Sequence, residues 1–229
     1  MLRRNLANFF TLLNLLSGLI ALYFITKSAY IPAFYAFLAG IGFDFLDGLV
    51  ARMTKTSSEL GLQLDSLADM VTSGVVPGYL LFDYLQKHFP GTYFPFSAFL
   101  IPLASAWRLA RFNIDTRQRT GFIGLPTPAN ALMIFAAVLS ASADSDSIYA
   151  RKTFLISLIF LSAWLLNAPV RLFALKFKDL QWKGNRTKMI FVVLSILMIL
   201  WKGLPAIPII IIAYILVSIV YYKSQKSAL

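Results

Sequence analysis

Apolar residues run through the chain in long stretches separated by short polar segments. Eight of these stretches predict helices, at roughly 9 to 26, 31 to 51, 60 to 82, 94 to 111, 127 to 143, 152 to 169, 188 to 202 and 206 to 221. Most approach the length of about 20 residues that a helix needs to cross a bilayer. The last two are short and meet at Gly203 and Pro205, so we expect a tilted or interfacial hairpin there.

Composition places this pattern in the membrane class. Hydrophobic residues fill 59% of the 229 positions and the mean hydropathy is +0.72, whereas soluble domains are about 45 to 50% apolar. Cysteine is absent, which excludes a disulfide framework, a thiolate metal site and a cysteine nucleophile. The sequence therefore predicts an all-α integral membrane protein of about eight transmembrane helices, folded as a single membrane domain over 1–229.

The positive charge has a topological meaning in such a chain. A net charge of +11 would suggest nucleic acid as a partner of a soluble protein, but here the basic residues fall between the apolar stretches. With both termini inside, 16 of the 21 lysines and arginines face the cytoplasm. We therefore expect the cytoplasmic membrane, an N-in and C-in topology, and no nucleic-acid partner.

Four aspartates interrupt the second and third apolar stretches, although the chain has only ten acidic residues. They are Asp44, Asp47, Asp65 and Asp69. An ionisable side chain at bilayer depth costs about 2.5 to 3.5 kcal/mol, so four of them oppose insertion by roughly 10 to 14 kcal/mol unless they are paired, hydrated or bound to metal. Such a cluster indicates a functional site, near the cytoplasmic ends of both spans.

The spacing puts each pair of aspartates on one face of its helix, because the pairs are three and four residues apart. Two such helices, packed side by side, would point four carboxylates into one pocket. Carboxylate oxygens suit hard divalent cations, and two ions there could clamp a pyrophosphate. A structural network of the acids with Arg52 is the alternative. Small residues between the acids leave room for a ligand: Gly48, Ala51 and Gly61.

The full pattern, D-x2-D-G-x2-A-R-x8-G-x3-D-x3-D, resembles the defining motif of the CDP-alcohol phosphatidyltransferases and matches it at all eight fixed positions. The resemblance implies a membrane enzyme that displaces CMP from a CDP-linked lipid with an alcohol. It implies that the four aspartates hold two divalent ions, Mg²⁺ or Mn²⁺, and that Asp69 is also the general base. It further implies a homodimer.

The same resemblance implies a division of the single domain. The family core has six membrane helices, which correspond here to a catalytic core over 1–170. A basic cytoplasmic loop over 171–187 and a C-terminal helical hairpin over 188–222 would follow it. The basic stretch from Lys176 to Lys188, which contains Trp182, predicts a contact with anionic lipid.

Polar and small residues form a stripe along the first span, at a spacing of three to four: Asn8, Thr11, Asn14, Ser17 and Gly18. Packing between membrane helices is the simple explanation of such a stripe. Family members carry P-N-x-x-T near the cytidine, and this chain has Ala7 where they have proline. Together with the motif, the resemblance implies CDP-lipid contacts from six residues: Asn8, Thr11, Gly48, Ala51, Arg52 and Gly61.

Two further segments resemble the phosphatidylserine synthase branch of the family. They read R-L-A-R-F-N from Arg108 to Asn113 and G-L-P-T-P-A from Gly124 to Ala129. This implies CDP-diacylglycerol and L-serine as substrates. Because arginine suits bidentate capture of a carboxylate, the hypothesis is that Arg108 or Arg111 binds the serine carboxylate, with Asn113 assisting. Both arginines would otherwise be positive-inside anchors.

The sequence is also compatible with other functions. The motif reads the CDP-lipid and not the alcohol, so glycerol phosphate, inositol phosphate or choline could be the acceptor, and the donor lipid could carry archaeal ethers. From a different class, intramembrane acids could serve a cation or proton transporter. That reading predicts inverted repeats and acids near the midplane, whereas these acids lie toward one face.

Overall fold

The computed structural model describes residues 2–54, 58–114, 122–173 and 182–226, and they are mostly helical, as predicted. Short elements join the helices. These are a π-helical segment (Met70–Val75), 3-10 segments (Phe94–Phe99 and Ile148–Ala150) and two strands, β1 (Phe122–Ile123) and β2 (Arg171–Leu172). The helices are α1 (Leu2–Thr26), α2 (Tyr30–Thr54), α3 (Glu59–Asp69), α4 (Val76–His88), α5 (Leu100–Ile114), α6 (Thr127–Ala143), α7 (Lys152–Asn167), α8 (Trp182–Lys202) and α9 (Ala206–Lys226).

Three segments of the described chain are long and apolar enough to cross a membrane: Leu6–Thr26, Tyr30–Thr54 and Ala206–Lys223. Helices α6 and α7 are apolar but shorter. These segments agree with a membrane protein, while the number of crossings and their orientation stay predictions.

The structure adds local features that the hydropathy pattern did not predict. The third predicted span is one continuous helical path from α3 to α4 with the π-helical segment in its middle. Pro77 follows that segment, and its ring would meet the carbonyl of Ser73 in a regular α-helix, so the wider turn relieves the clash. Helix α8 begins at Trp182, so part of the predicted basic loop is helical, and Arg171 and Leu172 of that loop form β2.

Helix α6 lies at the centre of the bundle. Its residues Ile134 and Phe135 are completely buried, and Phe135 stacks on Phe37 of α2 with ring centroids 4.6 Å apart. The helix is apolar all round, as expected of a helix that is covered by protein on every side. Helices α1, α2, α8 and α9 instead expose many large apolar side chains, which suits contact with lipid.

Close packing of α1, α2 and the π-helical segment fixes the position of the aspartates. A Cβ on Gly18 would lie 2.7 Å from Thr72 Oγ1, and one on Gly40 would lie 2.8 Å from Thr72 Cγ2. The Thr72 hydroxyl donates to the backbone carbonyl of Asn14 at 3.1 Å. Glycine at both positions therefore lets three backbones meet, directly after Asp69 ends α3.

The aspartates lie toward the end of the bundle at which α1 and α3 begin and α2 and α5 end, and we call this end the site end. Strands β1 and β2 pair antiparallel here, with Phe122 opposite Leu172. The C-terminal hairpin joins the same end, because the Tyr214 hydroxyl of α9 donates to the backbone carbonyl of Phe173 at 2.5 Å.

Candidate active site

Three of the four aspartates form a compact cluster across two helices. Asp44 and Asp47 of α2 and Asp65 of α3 each offer a carboxylate oxygen, and these oxygens lie within 4.8 Å of one another. Ser58 caps α3 by accepting from the backbone N–H of Gly61 at 3.0 Å, which sets where the helix starts. Asp69 lies one turn beyond Asp65 and interacts electrostatically with Asp44 and Asp65.

The cluster has the chemistry of a divalent-cation site. All its donors are carboxylate oxygens, which hard cations such as Mg²⁺ and Mn²⁺ prefer. Asp65 Oδ1 is buried and has no hydrogen-bond partner, so one ligand atom is available in the interior. Like charges packed this closely repel unless positive charge joins them. The donor set therefore fits a bound divalent ion.

The alternative of a structural ion network finds no support in the described residues. Arg52 is exposed, and its guanidinium lies 3.9 Å from where a Cβ on Gly48 would be. Among those residues no salt bridge joins Arg52 to an aspartate. A salt bridge between Lys87 and Asp83 lies at the opposite end of the bundle.

Helix α1 holds the carboxylates from the side. The buried Thr11 hydroxyl donates to Asp47 Oδ2 at 2.7 Å. One turn further, the fully buried Asn14 donates through Nδ2 to Asp69 Oδ1 at 3.3 Å. Asn14 was visible in the polar stripe of the first span, but no motif residue singled it out as a neighbour of Asp69. The stripe therefore supplies hydrogen bonds to the acids in addition to helix packing.

An open cavity of about 180 Å³ lies beside the cluster, between α1, α2 and α3. Its wall carries two of the aspartates, Asp47 and Asp65. Five of the six residues that the resemblance assigned to the CDP-lipid also line it: Asn8, Thr11, Gly48, Ala51 and Gly61. Asn8 approaches Gly61 closely, because a Cβ on that glycine would lie 3.3 Å from Asn8 Oδ1. Arg52 lies outside the lining, next to Gly48.

The structure separates the three residues that were assigned to serine. Arg108 is 8% exposed, interacts electrostatically with Asp69 and lies with Nη1 3.5 Å from Thr127 Oγ1. Its Nε is buried without a partner. Arg111 is exposed one turn later on α5. Asn113 donates to Ser66 Oγ at 2.9 Å and so ties α5 to α3. Of the three, Arg108 is the one beside the acids.

Comparison with characterised proteins identifies several similar chains. A CDP-diacylglycerol–serine O-phosphatidyltransferase of Helicobacter pylori (strain J99) is 36% identical over 134 residues, which are 58% of this chain and 56% of the relative. The protein of that name from Methanocaldococcus jannaschii is 40% identical over 129 residues, 56% of this chain and 58% of the relative. The protein of that name from Bacillus subtilis is 32% identical over 118 residues, which are 52% of this chain and 66% of the relative. The first two matches span little more than half of the relative's length.

A family model covers more of the chain. The model described as CDP-alcohol phosphatidyltransferase matches residues 4–167, which contain the four aspartates, the cavity and Arg108. This match confirms the resemblance inferred from the eight motif positions. The chain belongs to the CDP-alcohol phosphatidyltransferase family.

Proposed function

We propose that this protein transfers the phosphatidyl group of CDP-diacylglycerol to the hydroxyl of L-serine and releases CMP. The observation that carries the proposal is the acid cluster of α2 and α3 next to a cavity that is lined by the family's nucleotide positions. The choice of serine rests on relatives whose names specify that acceptor and on the buried Arg108 beside Asp69.

The cavity would receive the CDP headgroup. Asn8 and Thr11 offer polar atoms on one wall, and Gly48, Ala51 and Gly61 keep the other walls free of bulky side chains. Arg52, exposed next to Gly48, is positioned to meet a phosphate at the cavity mouth. The acyl chains of the donor would lie against the apolar surfaces of α1 and α2.

Asp44, Asp47, Asp65 and Asp69 would hold two divalent ions, Mg²⁺ or Mn²⁺. When bound, such ions supply the positive charge that stabilises a diphosphate and its departing CMP. The hydrogen bond from Thr11 fixes the carboxylate of Asp47, and such support of a metal ligand typically changes metal affinity by about 10 to 100-fold.

Serine would bind between Arg108 and Asp69. The Arg108 guanidinium pairs with the serine carboxylate, and Asp69 accepts the proton of the serine hydroxyl. As that proton leaves, the serine oxygen bonds to the β-phosphorus of the donor, and the bond from that phosphorus to the bridging oxygen breaks. CMP departs with the electron pair. Proton abstraction by a positioned carboxylate typically contributes about 10² to 10⁴ in rate.

The orientation in the membrane and the oligomeric state complete the proposed function. The positive-inside pattern supports a site end at the cytoplasmic face of the cell membrane, where serine and CMP are dissolved. The family resemblance supports a homodimer.

Release of CMP by the purified protein, with one acceptor added at a time, tests the proposal. We expect release with L-serine and at most a few per cent of that rate with glycerol phosphate, inositol phosphate or choline. Asp69→Asn should lower turnover by at least about 100-fold and keep the affinity for CDP-diacylglycerol within a few-fold. Release that is faster with another acceptor would replace serine in the proposal, and near-normal turnover of Asp69→Asn would remove the general base.

A further inference from the structure

A groove lies between α8 and α9 at the site end, apart from the acid cluster. It encloses about 450 Å³. Arg186 and Thr187 form its polar mouth, and its walls are apolar: Ile190, Phe191, Leu194 and Val217. Arg186, Ile190 and Leu194 are exposed, so nothing in the described part of the chain covers the groove. A site with a cationic mouth and an apolar interior suits an amphipathic anion.

Phe191, which lines the groove, packs against aromatic side chains outside the lining. Phe191 packs edge-on against Phe173, with ring centroids 6.2 Å apart, and its ring is tilted against that of Tyr214, with centroids 5.8 Å apart. The Tyr214 hydroxyl is held by the backbone carbonyl of Phe173. Because Phe173 directly follows β2, the groove is attached to the strand pair of the core. The position of Phe191 in the groove wall is therefore held by tertiary contacts.

Arg186 is the charged residue of the groove lining, and further basic residues follow the same end of both helices. The chain contains no aspartate or glutamate after Asp179, and α8 carries Lys183, Arg186 and Lys188 at the site end. Helix α9 brings Lys223 and Lys226 to the same end. A cluster of basic residues next to a membrane helix attracts anionic headgroups, with about 1 kcal/mol from each residue near the surface.

The length of the groove matches one leaflet. Arg186 and Leu194 are eight residues apart on α8, which is about 12 Å along the helix axis. Half of a typical hydrocarbon core is about 15 Å thick. A phosphate at Arg186 would therefore leave an acyl chain running over Ile190 to Leu194 within the same leaflet.

We propose that this groove is a binding site for an anionic phospholipid, separate from the site of the reaction. The phosphate contacts Arg186 and the Thr187 hydroxyl, and one acyl chain lies on Ile190, Phe191 and Leu194. Free phosphate would gain no binding energy from the apolar walls. A zwitterionic lipid would gain less electrostatic attraction from the basic mouth than an anionic lipid would. The site is independent of the proposed reaction, because none of its residues belongs to the acid cluster or its cavity.

Native mass spectrometry of the full chain in non-ionic detergent tests the site, with phosphatidylglycerol and phosphatidylcholine as probes. We expect phosphatidylglycerol to bind more tightly, and Arg186→Gln to weaken its binding about fivefold, the effect of one interfacial charge. Lys202→Gln is the matched control, because it removes one positive charge from the opposite end of α8 and should leave the affinity unchanged. Leu194→Trp, which fills the groove, should weaken binding of both lipids.

Equal phosphatidylglycerol affinity of Arg186→Gln and the unchanged protein would overturn the proposal. Inorganic phosphate that displaces the lipid at millimolar concentration would also overturn it, since the ligand would then be a soluble anion. If Leu194→Trp changed only the proportion of dimer and not lipid binding, the groove would be a contact between copies of the chain. Metal-dependent CMP release should be the same in all these variants, so a failure here is distinct from failure of the proposed reaction.

Discussion

Asn14 of α1 donates through Nδ2 to Asp69 Oδ1 at 3.3 Å and is completely buried. Its backbone carbonyl accepts from the Thr72 hydroxyl at 3.1 Å, and its own Oδ1 has no partner and lies close to Gly40. The side chain is thus held on two sides by the close approach of α1, α2 and the π-helical segment. It binds one oxygen of Asp69, and in the proposed reaction the second oxygen accepts the proton.

Replacing Asn14 with alanine should therefore act on turnover more than on donor binding. A hydrogen bond to a charged group contributes about 1.5 to 3 kcal/mol, so kcat should fall by roughly 10 to 100-fold while the KM for CDP-diacylglycerol changes little. Ser17→Ala is the matched control, because that buried hydroxyl of α1 only donates to the carbonyl of Leu13. Equal effects of the two variants on kcat would show that Asn14 serves packing alone.

Thr11→Val should weaken the response to metal. The substitution keeps the shape of the side chain and removes the 2.7 Å hydrogen bond to Asp47. We expect the concentration of Mn²⁺ that gives half-maximal activity to rise by about tenfold or more. Thr26→Val, at the other end of α1, removes a hydroxyl bonded to the Tyr23 carbonyl and should leave the metal response unchanged. An unchanged metal response in Thr11→Val would contradict the assignment of Asp47 as a supported ligand.

Arg108→Gln should raise the KM for serine by at least about tenfold and leave the KM for CDP-diacylglycerol within about twofold, because a buried charge-assisted contact is lost. Arg111→Gln is the control of the same type on the same helix, and its exposed position predicts a small effect. Initial rates over a range of serine concentrations measure both. The opposite ranking would transfer the carboxylate contact to Arg111.

Gly40→Ala should destabilise the fold by about 1 to 3 kcal/mol through overpacking. Its Cβ would lie 2.8 Å from Thr72 Cγ2 and 3.1 Å from Asn14 Oδ1. Gly42→Ala, two residues away on α2, has open space for its Cβ and should be neutral or stabilising. Thermal unfolding in one detergent compares them. Similar midpoints for the two variants would mean that the three backbones are not packed as closely as the structure has them.

The sequence predicted the helices and the acids well because both depend on local periodicity. The eight apolar stretches lie close to the observed helices, with the third stretch covering both α3 and α4, and spacings of three and four put the aspartates on inward faces. The start of α8 was predicted too late, since hydropathy marks the part of a helix in lipid and polar residues such as Asn185 and Arg186 extend the helix beyond it. The π-helical segment changes the pitch over one turn only, which leaves the apolar pattern almost unaltered.

Contacts between helices could not be predicted in the same way. Arg108 and Arg111 are arginines one turn apart on α5, and the sequence alone does not distinguish them. The packing of α5 buries Arg108 and leaves Arg111 exposed. Asn14 belongs to a polar stripe that helix packing alone would explain. In the structure, Gly18 and Gly40 pack closely against Thr72, and this packing brings Asn14 within hydrogen-bonding distance of Asp69. Asn113, predicted to assist serine binding, donates to Ser66 Oγ, a partner that the sequence did not indicate. Which polar residue meets which acid is a tertiary property.

Binding of Mn²⁺, measured by electron paramagnetic resonance on the purified protein, tests the central claim most directly. That claim is that α2 and α3 aim their aspartates at one shared divalent-ion site. We predict two bound Mn²⁺ per chain when CDP-diacylglycerol is present, with loss of bound metal in Asp44→Asn and in Asp65→Asn, one from each helix. No bound Mn²⁺ in the unchanged protein, or full binding in both variants, would contradict the account.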